Sequence, residues 1–118
     1  MATTDFTHAL ASTREIEITV TGRRTGRKIS LPVWFVHEGR TLYLLPVKGS
    51  DSAWYKNVLQ TPALTLSSSG TALIAQARPV TDPNNVRDIV EKFRRKYGRP
   101  DVQRYYSKFD VGLEVSLG

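Results

Sequence analysis

The chain has no cysteine. That excludes disulfides, thiolate zinc sites and cysteine nucleophiles together. It has only two histidines, His8 and His37, far apart and without an acidic partner at motif spacing. Neither a metal site nor a Ser-His-Asp triad is therefore expected. Asp51 and Ser52 are adjacent but have no motif-spaced histidine, and they read as a helix cap. No apolar run approaches the roughly 18 residues needed to cross a bilayer as a helix. The opening Met1-Ala-Thr-Thr-Asp-Phe has no basic stretch leading into an apolar one, so no signal peptide is expected and the cytoplasm is the default location. Internal repeats and low-complexity tracts are also missing.

What is present is an ordinary globular composition. The chain has 118 residues, 40% of them hydrophobic. That length supports one domain, 1–118, around one core. The net charge is +6, and a basic domain prefers anionic partners such as nucleic acid, anionic lipid or an acidic small molecule. The cations gather in two places. One is Arg87–Arg99, where Asp88 and Glu91 are interspersed. Spacing there predicts i, i+4 pairs Arg87–Glu91, Asp88–Lys92 and Glu91–Arg95. The other is Thr21-Gly-Arg-Arg-Thr-Gly-Arg-Lys28, in which four of eight residues are cations and two are glycines. It lies between two strand-like runs. It reads either as a hairpin tip made soluble by arginine, or as a cradle where backbone N–H groups and guanidinium forks converge on an anion.

Hydrophobic spacing orders the rest. Phe6, Ala9 and Leu10 suggest a brief helix or a docked arm. Glu15–Thr21 alternates, with Ile16, Ile18 and Val20 on one face, which predicts a half-buried strand. Ile29–His37 is apolar on both faces, as expected of a barrel wall or a dimer contact. Pro32 cannot donate to a ladder, so one edge there is bulged or unpaired. Strands are expected at Thr41–Val47, Ala63–Ser67, Thr71–Val80 and Val111–Leu117. Helices are expected at Asp51–Gln60, capped by Ser50 or Asp51, and after Asp82-Pro83, where Val86, Ile89, Val90, Phe93 and Tyr97 follow helical spacing. Gly98 ends that helix, and a short one follows at Asp101–Lys108. The fold class is α+β: about six mostly antiparallel strands in a small closed or split barrel with flanking helices.

With no hydrolytic constellation, an enzyme of this composition would take its chemistry from a bound cofactor. Lys48-Gly49 stands just before a helix N-terminus, which attracts anions. Trp54, Tyr55 and Asn57 follow. Such a segment holds a phosphate at one end and a flat ring at the other, or else Trp54 and Tyr55 simply pack the helix onto the barrel. A nucleic-acid module fits poorly, because no aromatics are interleaved with the basic turn as a stacking platform requires.

Gly22-Arg-Arg-Thr-Gly-Arg-Lys, Pro32-Val-Trp-Phe, Gly39-Arg with Leu42-Tyr-Leu-Leu, Lys48-Gly49, Ala53-Trp-Tyr-Lys-Asn57 and Pro62 occur in this order over residues 16–80. In order and spacing they resemble the deazaflavin-dependent nitroreductase family. The resemblance implies a split β-barrel, related to FMN-binding oxidoreductases and usually dimeric. It also implies coenzyme F420 as cofactor and hydride transfer to a quinone, enone or nitro compound. By the same resemblance Arg23, Arg24, Thr25, Arg27 and Lys28 would meet the phosphate or acidic tail. Pro32, Lys48, Gly49, Trp54 and Asn57 would complete the cofactor site, and Tyr97, Tyr105 or Tyr106 would line the substrate side, with Tyr105 and Tyr106 as catalytic candidates. The alternatives are an FMN-binding oxidoreductase on the same barrel and a non-catalytic binder of a small ligand.

Overall fold

Alternating side chains and tight turns produce six strands, joined by helices where the hydrophobic period lengthens. The computed structural model describes Leu10 and residues 13–117. The strands are β1 (Glu15–Thr21), β2 (Lys28–Glu38), β3 (Thr41–Leu44), β4 (Ala63–Ser68), β5 (Thr71–Val80) and β6 (Gly112–Ser116). Helix α1 (Ala53–Gln60) follows a 3-10 turn at Gly49–Asp51, and α2 (Pro83–Tyr97) and α3 (Arg99–Tyr105) precede β6. The strands close into an antiparallel barrel in the order β1-β2-β3-β6-β5-β4. The expected N-terminal helix or arm lies outside the described residues except for Leu10, which is buried in the barrel core.

Two strands each serve two partners. Residues 28–34 of β2 pair with β1, and residues 35–38 pair with β3. Likewise 71–76 of β5 pair with β4, and 77–80 with β6. The barrel is thus split into two sheets that share β2 and β5. β3 was expected to reach Val47 but stops at Leu44, because Pro46 offers no N–H to a ladder. Beyond that point the second edge of β2 has no strand beside it among the described residues.

There are two cores. Ile16, Ile18 and Val20 point into the barrel with Phe35, Leu42 and Leu66, and α1 contributes Trp54, Tyr55 and Val58. Outside the barrel, Val86, Ile89, Val90, Phe93 and Tyr97 of α2 cover the other face of β2 around Val36. That explains why β2 is apolar on both faces: helices of the same chain cover the second one. Helix α2 begins where expected. The Asp82 carboxylate accepts the Asn84 and Asn85 N–H groups at 2.8 and 3.4 Å, and Pro83 occupies the first turn. It ends at Gly98, whose φ of 92° is open to glycine.

Several local expectations give way to tertiary contacts. Helix α1 starts at Ala53, not Asp51. Its N-cap is Ser52, which makes no side-chain cap bond; its hydroxyl instead accepts the Lys48 N–H at 2.9 Å. Helix α3 spans Arg99–Tyr105, earlier than expected, with Pro100 in its first turn. Lys92 pairs with Glu38 of β2 at 2.8 Å rather than with Asp88. Glu91 takes Arg94 at 2.5 Å and Arg99 at 3.7 Å, and no ion pair joins it to Arg87. A carboxylate on another element, or one at i+3, lies nearer than the i+4 neighbour. Among the described residues no helix is long and apolar enough to cross a membrane.

Candidate functional site

A pocket of about 350 Å³ lies at the split in the barrel. Small-molecule sites span roughly 300–1,000 Å³, so it accommodates a ring system rather than a large ligand entire. Ile29, Leu31, Pro32, Val33 and Trp34 form one wall. Consecutive strand residues point to opposite faces; both kinds line this wall, so the pocket abuts the bare edge of β2. Leu45, Val47 and Lys48, where the chain leaves β3, stand across from it. Ser52, Ala53, Trp54 and Asn57 of the α1 entry line another side, and Tyr105 and Tyr106 complete the lining.

The aromatic side is rigidly built. Trp34 stacks on Tyr97 at 4.3 Å and on Tyr105 at 4.4 Å between ring centroids. Two rings cannot share one face at that spacing, so Trp34 is held between them. Tyr97, expected on the substrate side, stands behind Trp34 and does not line the pocket. It is buried, and its hydroxyl donates to the carbonyls of Arg14 or Phe35, at 2.7 and 2.8 Å, while accepting the Phe35 N–H at 3.0 Å. Burial pushes its phenol up to about 12. Tyr105 keeps 38% exposure at the rim. Tyr106 is 3% exposed, and its hydroxyl has no hydrogen-bond partner among the described residues. Burial first, and then the neighbouring Tyr105 and Tyr97, raise that phenol far above its usual range. A hydroxyl so closed off and without a partner costs the fold the desolvation of one polar group.

Six of the residues singled out in sequence come together here: Pro32, Lys48, Trp54, Asn57, Tyr105 and Tyr106. The others fall into different places. Gly49 is buried and does not line the pocket. Arg23 is pinned to α1: its N–H and its guanidinium both donate to Asn57 Oδ1, at 3.1 and 2.8 Å. The Asn57 oxygen is thereby taken, and what Asn57 offers the pocket is its amide nitrogen. Arg24, Thr25, Arg27 and Lys28 form an exposed turn between β1 and β2. Thr25 shapes it by accepting the Arg27 N–H at 3.2 Å, and Lys28 reaches back to the Thr21 hydroxyl at 2.9 Å.

Part of each expected backbone cradle is already bonded. In the turn, the Gly22, Arg23, Gly26 and Arg27 N–H groups are all bonded inside the protein. Around Gly49, every N–H from Lys48 to Ser52 is likewise spent: Gly49 on Pro46, Asp51 on Lys48, Ser52 on Gly49, Lys48 on Ser52 and Ser50 on Asp110. The N–H groups left without a partner among the described residues are those of Arg24 and Thr25 in the turn and of Ala53, Trp54 and Tyr55 at the start of α1. Among the described residues no acidic group pairs with Arg23, Arg24, Arg27, Lys28 or Lys48. Sequence reading missed Trp34 as a lining residue, along with Leu45 and Val47. The signal for all three is a proline, Pro32 beside Trp34 and Pro46 between Leu45 and Val47, marking where pairing stops.

The pattern of a bacterial family described as "Uncharacterized protein conserved in bacteria (DUF2255)" matches residues 7–110. The chain belongs to that family. No curated protein matches this DUF2255 chain. Among solved structures it is similar to an F420-H2 dependent reductase, FDR-A, at 20% identity and a TM-score of 0.68, covering 87% of this chain and 94% of the other. It is similar to a pyridoxamine 5′-phosphate oxidase candidate from Listeria innocua at 16% identity and a TM-score of 0.68, over 98% and 92% of the two chains. It is also similar to HutZ, a heme storage protein from Vibrio cholerae, at 10% identity and a TM-score of 0.71, over 96% and 87%. These likenesses are likenesses of fold. The DUF2255 chain has the split β-barrel that the F420-H2 dependent reductase also has.

Proposed function

We propose that this protein is a deazaflavin (F420)-dependent oxidoreductase that passes hydride to a small organic acceptor, a quinone, enone or nitro compound. One observation carries the reading. An apolar slot walled by Trp34, Trp54 and Tyr105 lies beside a turn of cations that have no acidic partner. A flat ring with a polyanionic tail matches both halves. Such a ring system fits the slot, whose lining includes one cationic side chain, Lys48, and the Asn57 amide.

In this reading Pro32 and Trp54 flank the ring, and Asn57, fixed by Arg23, offers it an amide nitrogen. Arg24, Arg27 and Lys28 meet the phosphate and acidic tail through side chains, while Thr25 shapes their turn. Lys48, with Gly49 behind it, adds the one cationic side chain of the slot. The reduced deazaflavin supplies the hydride. The chain's own contribution is position, exclusion of water and electrostatics. With its pKa raised, Tyr106 keeps its proton throughout the neutral range and remains the buried catalytic candidate of the pocket wall. Tyr105 serves as the outer stacking wall. A homodimer belongs to the same proposal and is checked by light scattering.

The test is a fluorescence titration with coenzyme F420 and FMN in parallel, at low and high salt. Preferential F420 binding, weakened by salt, supports the reading. Preferential FMN binding keeps the barrel and replaces the electron donor. Binding of neither overturns the redox assignment.

A further inference from the structure

Two sides of the pocket come from distant parts of the chain, 45–48 and 105–106, and the outer core brings Leu45, Val47 and Tyr106 together on the inside. A surface clasp fastens them on the outside. The Ser107 N–H and hydroxyl both donate to the Val47 carbonyl, at 2.9 and 3.1 Å. Lys48 and Lys108 form an isolated parallel bridge. Asp110 accepts the Ser50 N–H at 2.9 Å and the Ser50 hydroxyl at 2.5 Å. The Lys108 ammonium lies 3.1 Å from Asp51 and 3.7 Å from Asp110. Residues 107–110 therefore run along 47–51, directly after Tyr105 and Tyr106 and directly around Lys48.

We infer that Asp110 is a positioning residue: through Ser50 and Gly49 it fixes the distance between Lys48 and the tyrosine wall, and so the width of the slot. The fit of the carboxylate is the main argument. Gly49 has φ +55°, and a Cβ there would fall on Asp110 Oδ1. The carboxylate occupies the space that any side chain at 49 would fill. The clasp is otherwise peripheral. Ser107, Lys108 and Asp110 are exposed, and exposed ion pairs add little to stability. Its geometry acts on the pocket instead.

The charge at Asp110 is constant in the neutral range. Burial acts upward on the carboxyl, but the two Ser50 bonds and Lys108 outweigh it and hold it below the usual carboxylate range. The folded value lies below the unfolded one. Its contribution is therefore complete at neutral pH and is lost only as pH falls through the folded value. The clasp is a permanent fastening rather than a physiological switch.

This inference rests on the pocket being the ligand site, so its test has one arm without ligand. In Asp110→Ala the Ser107 amide, which bonds to the opposite wall, exchanges with deuterium about 10-fold faster or more, while the Ile18 and Leu66 amides of the barrel are unchanged. Affinity for coenzyme F420 falls about 10-fold, the scale of one displaced charge-assisted contact. Asp110→Asn, which keeps an acceptor oxygen, recovers part of that affinity. Gly49→Ala reproduces the Asp110→Ala loss, and combining the two weakens binding little further, because both break one device. Unchanged Ser107 exchange in Asp110→Ala overturns the clasp. Faster exchange with unchanged F420 affinity overturns its positioning role. If the unaltered protein binds no F420, the redox reading fails and the exchange arm alone decides whether the walls are fastened through Asp110.

Discussion

The two basic regions of this protein have similar composition and opposite surroundings. On α2 and α3 four cations have counter-charges: Lys92 with Glu38, Arg94 and Arg99 with Glu91, and Arg104 with Asp101, while Arg87, Arg95 and Lys96 have none among the described residues. In the turn between β1 and β2 they have none among the described residues. Arg24 and Arg27 project from an exposed loop beside the pocket, while Arg23 is held by an amide rather than a carboxylate and Lys28 by the Thr21 hydroxyl. Paired cations on a helix form a solvated face. Unpaired cations beside an apolar slot create a standing positive potential that an anionic ligand can neutralise.

The sharpest way to break this comparison is charge reversal in each region. Arg24→Glu with Arg27→Glu should weaken F420 binding about 100-fold, roughly 2.7 kcal/mol, and leave stability nearly unchanged, since neither side chain is buried. Fluorescence titration and thermal denaturation on the same sample measure both. Equal loss of affinity from Lys92→Glu would erase the distinction. Next in size is Arg23→Ala. It removes the guanidinium donor, leaves the buried Asn57 oxygen with the backbone N–H of residue 23 alone, and should cost about 1 kcal/mol in denaturant unfolding, the scale of one hydrogen bond. An effect confined to binding would move Arg23 into the class of Arg24 and Arg27. Smaller again is Arg94→Ala, which breaks its half-exposed pair with Glu91. It should lower stability by about 0.5 kcal/mol and leave F420 affinity as it was.

The smallest effect concerns a buried cation of the same helix. Lys96 has no carboxylate partner. Its ammonium donates to the Phe35 carbonyl at 2.7 Å and lies 3.4 Å from the centroid of the Phe35 ring. Burial, and then Arg14, lower it to about 8. The folded value is below the unfolded one, so the unfolded chain binds more protons from about pH 8 upward and stability rises with pH there. Tyr97 opposes this above about pH 10, because its folded phenol, at about 12, holds a proton that the unfolded chain releases. A small gain in urea midpoint between about pH 8 and pH 10 is expected, and Lys96→Met should flatten it.

Much of the fold was legible because its causes are local. β1 and β5 have the bounds that alternation assigns them, and α2 runs from the proline after its aspartate cap to its terminating glycine. Pairing partners were not legible. Nothing near Lys92 points to Glu38, and helical spacing alone favours Asp88. The site divided in the same way. Residue types that suit an anion and a ring stood out, and several of them line one pocket. Their roles depended on contacts across the chain. Arg23 looks like Arg24 in sequence and differs only because Asn57 lies beside it. Trp34 sits between two tyrosines more than sixty residues away, a relation that no spacing rule contains.

The early end of β3 has a further consequence. One side of the pocket, 45–52, is a connection and not a strand, so its length is free of the barrel's register. Residues added or removed there need shift no ladder and displace no barrel strand. Relatives can therefore reshape the chamber by changing loop length alone, while inheriting the same scaffold. In this architecture the part that varies most cheaply is also a part that lines the pocket, a natural route for one barrel to acquire many chambers.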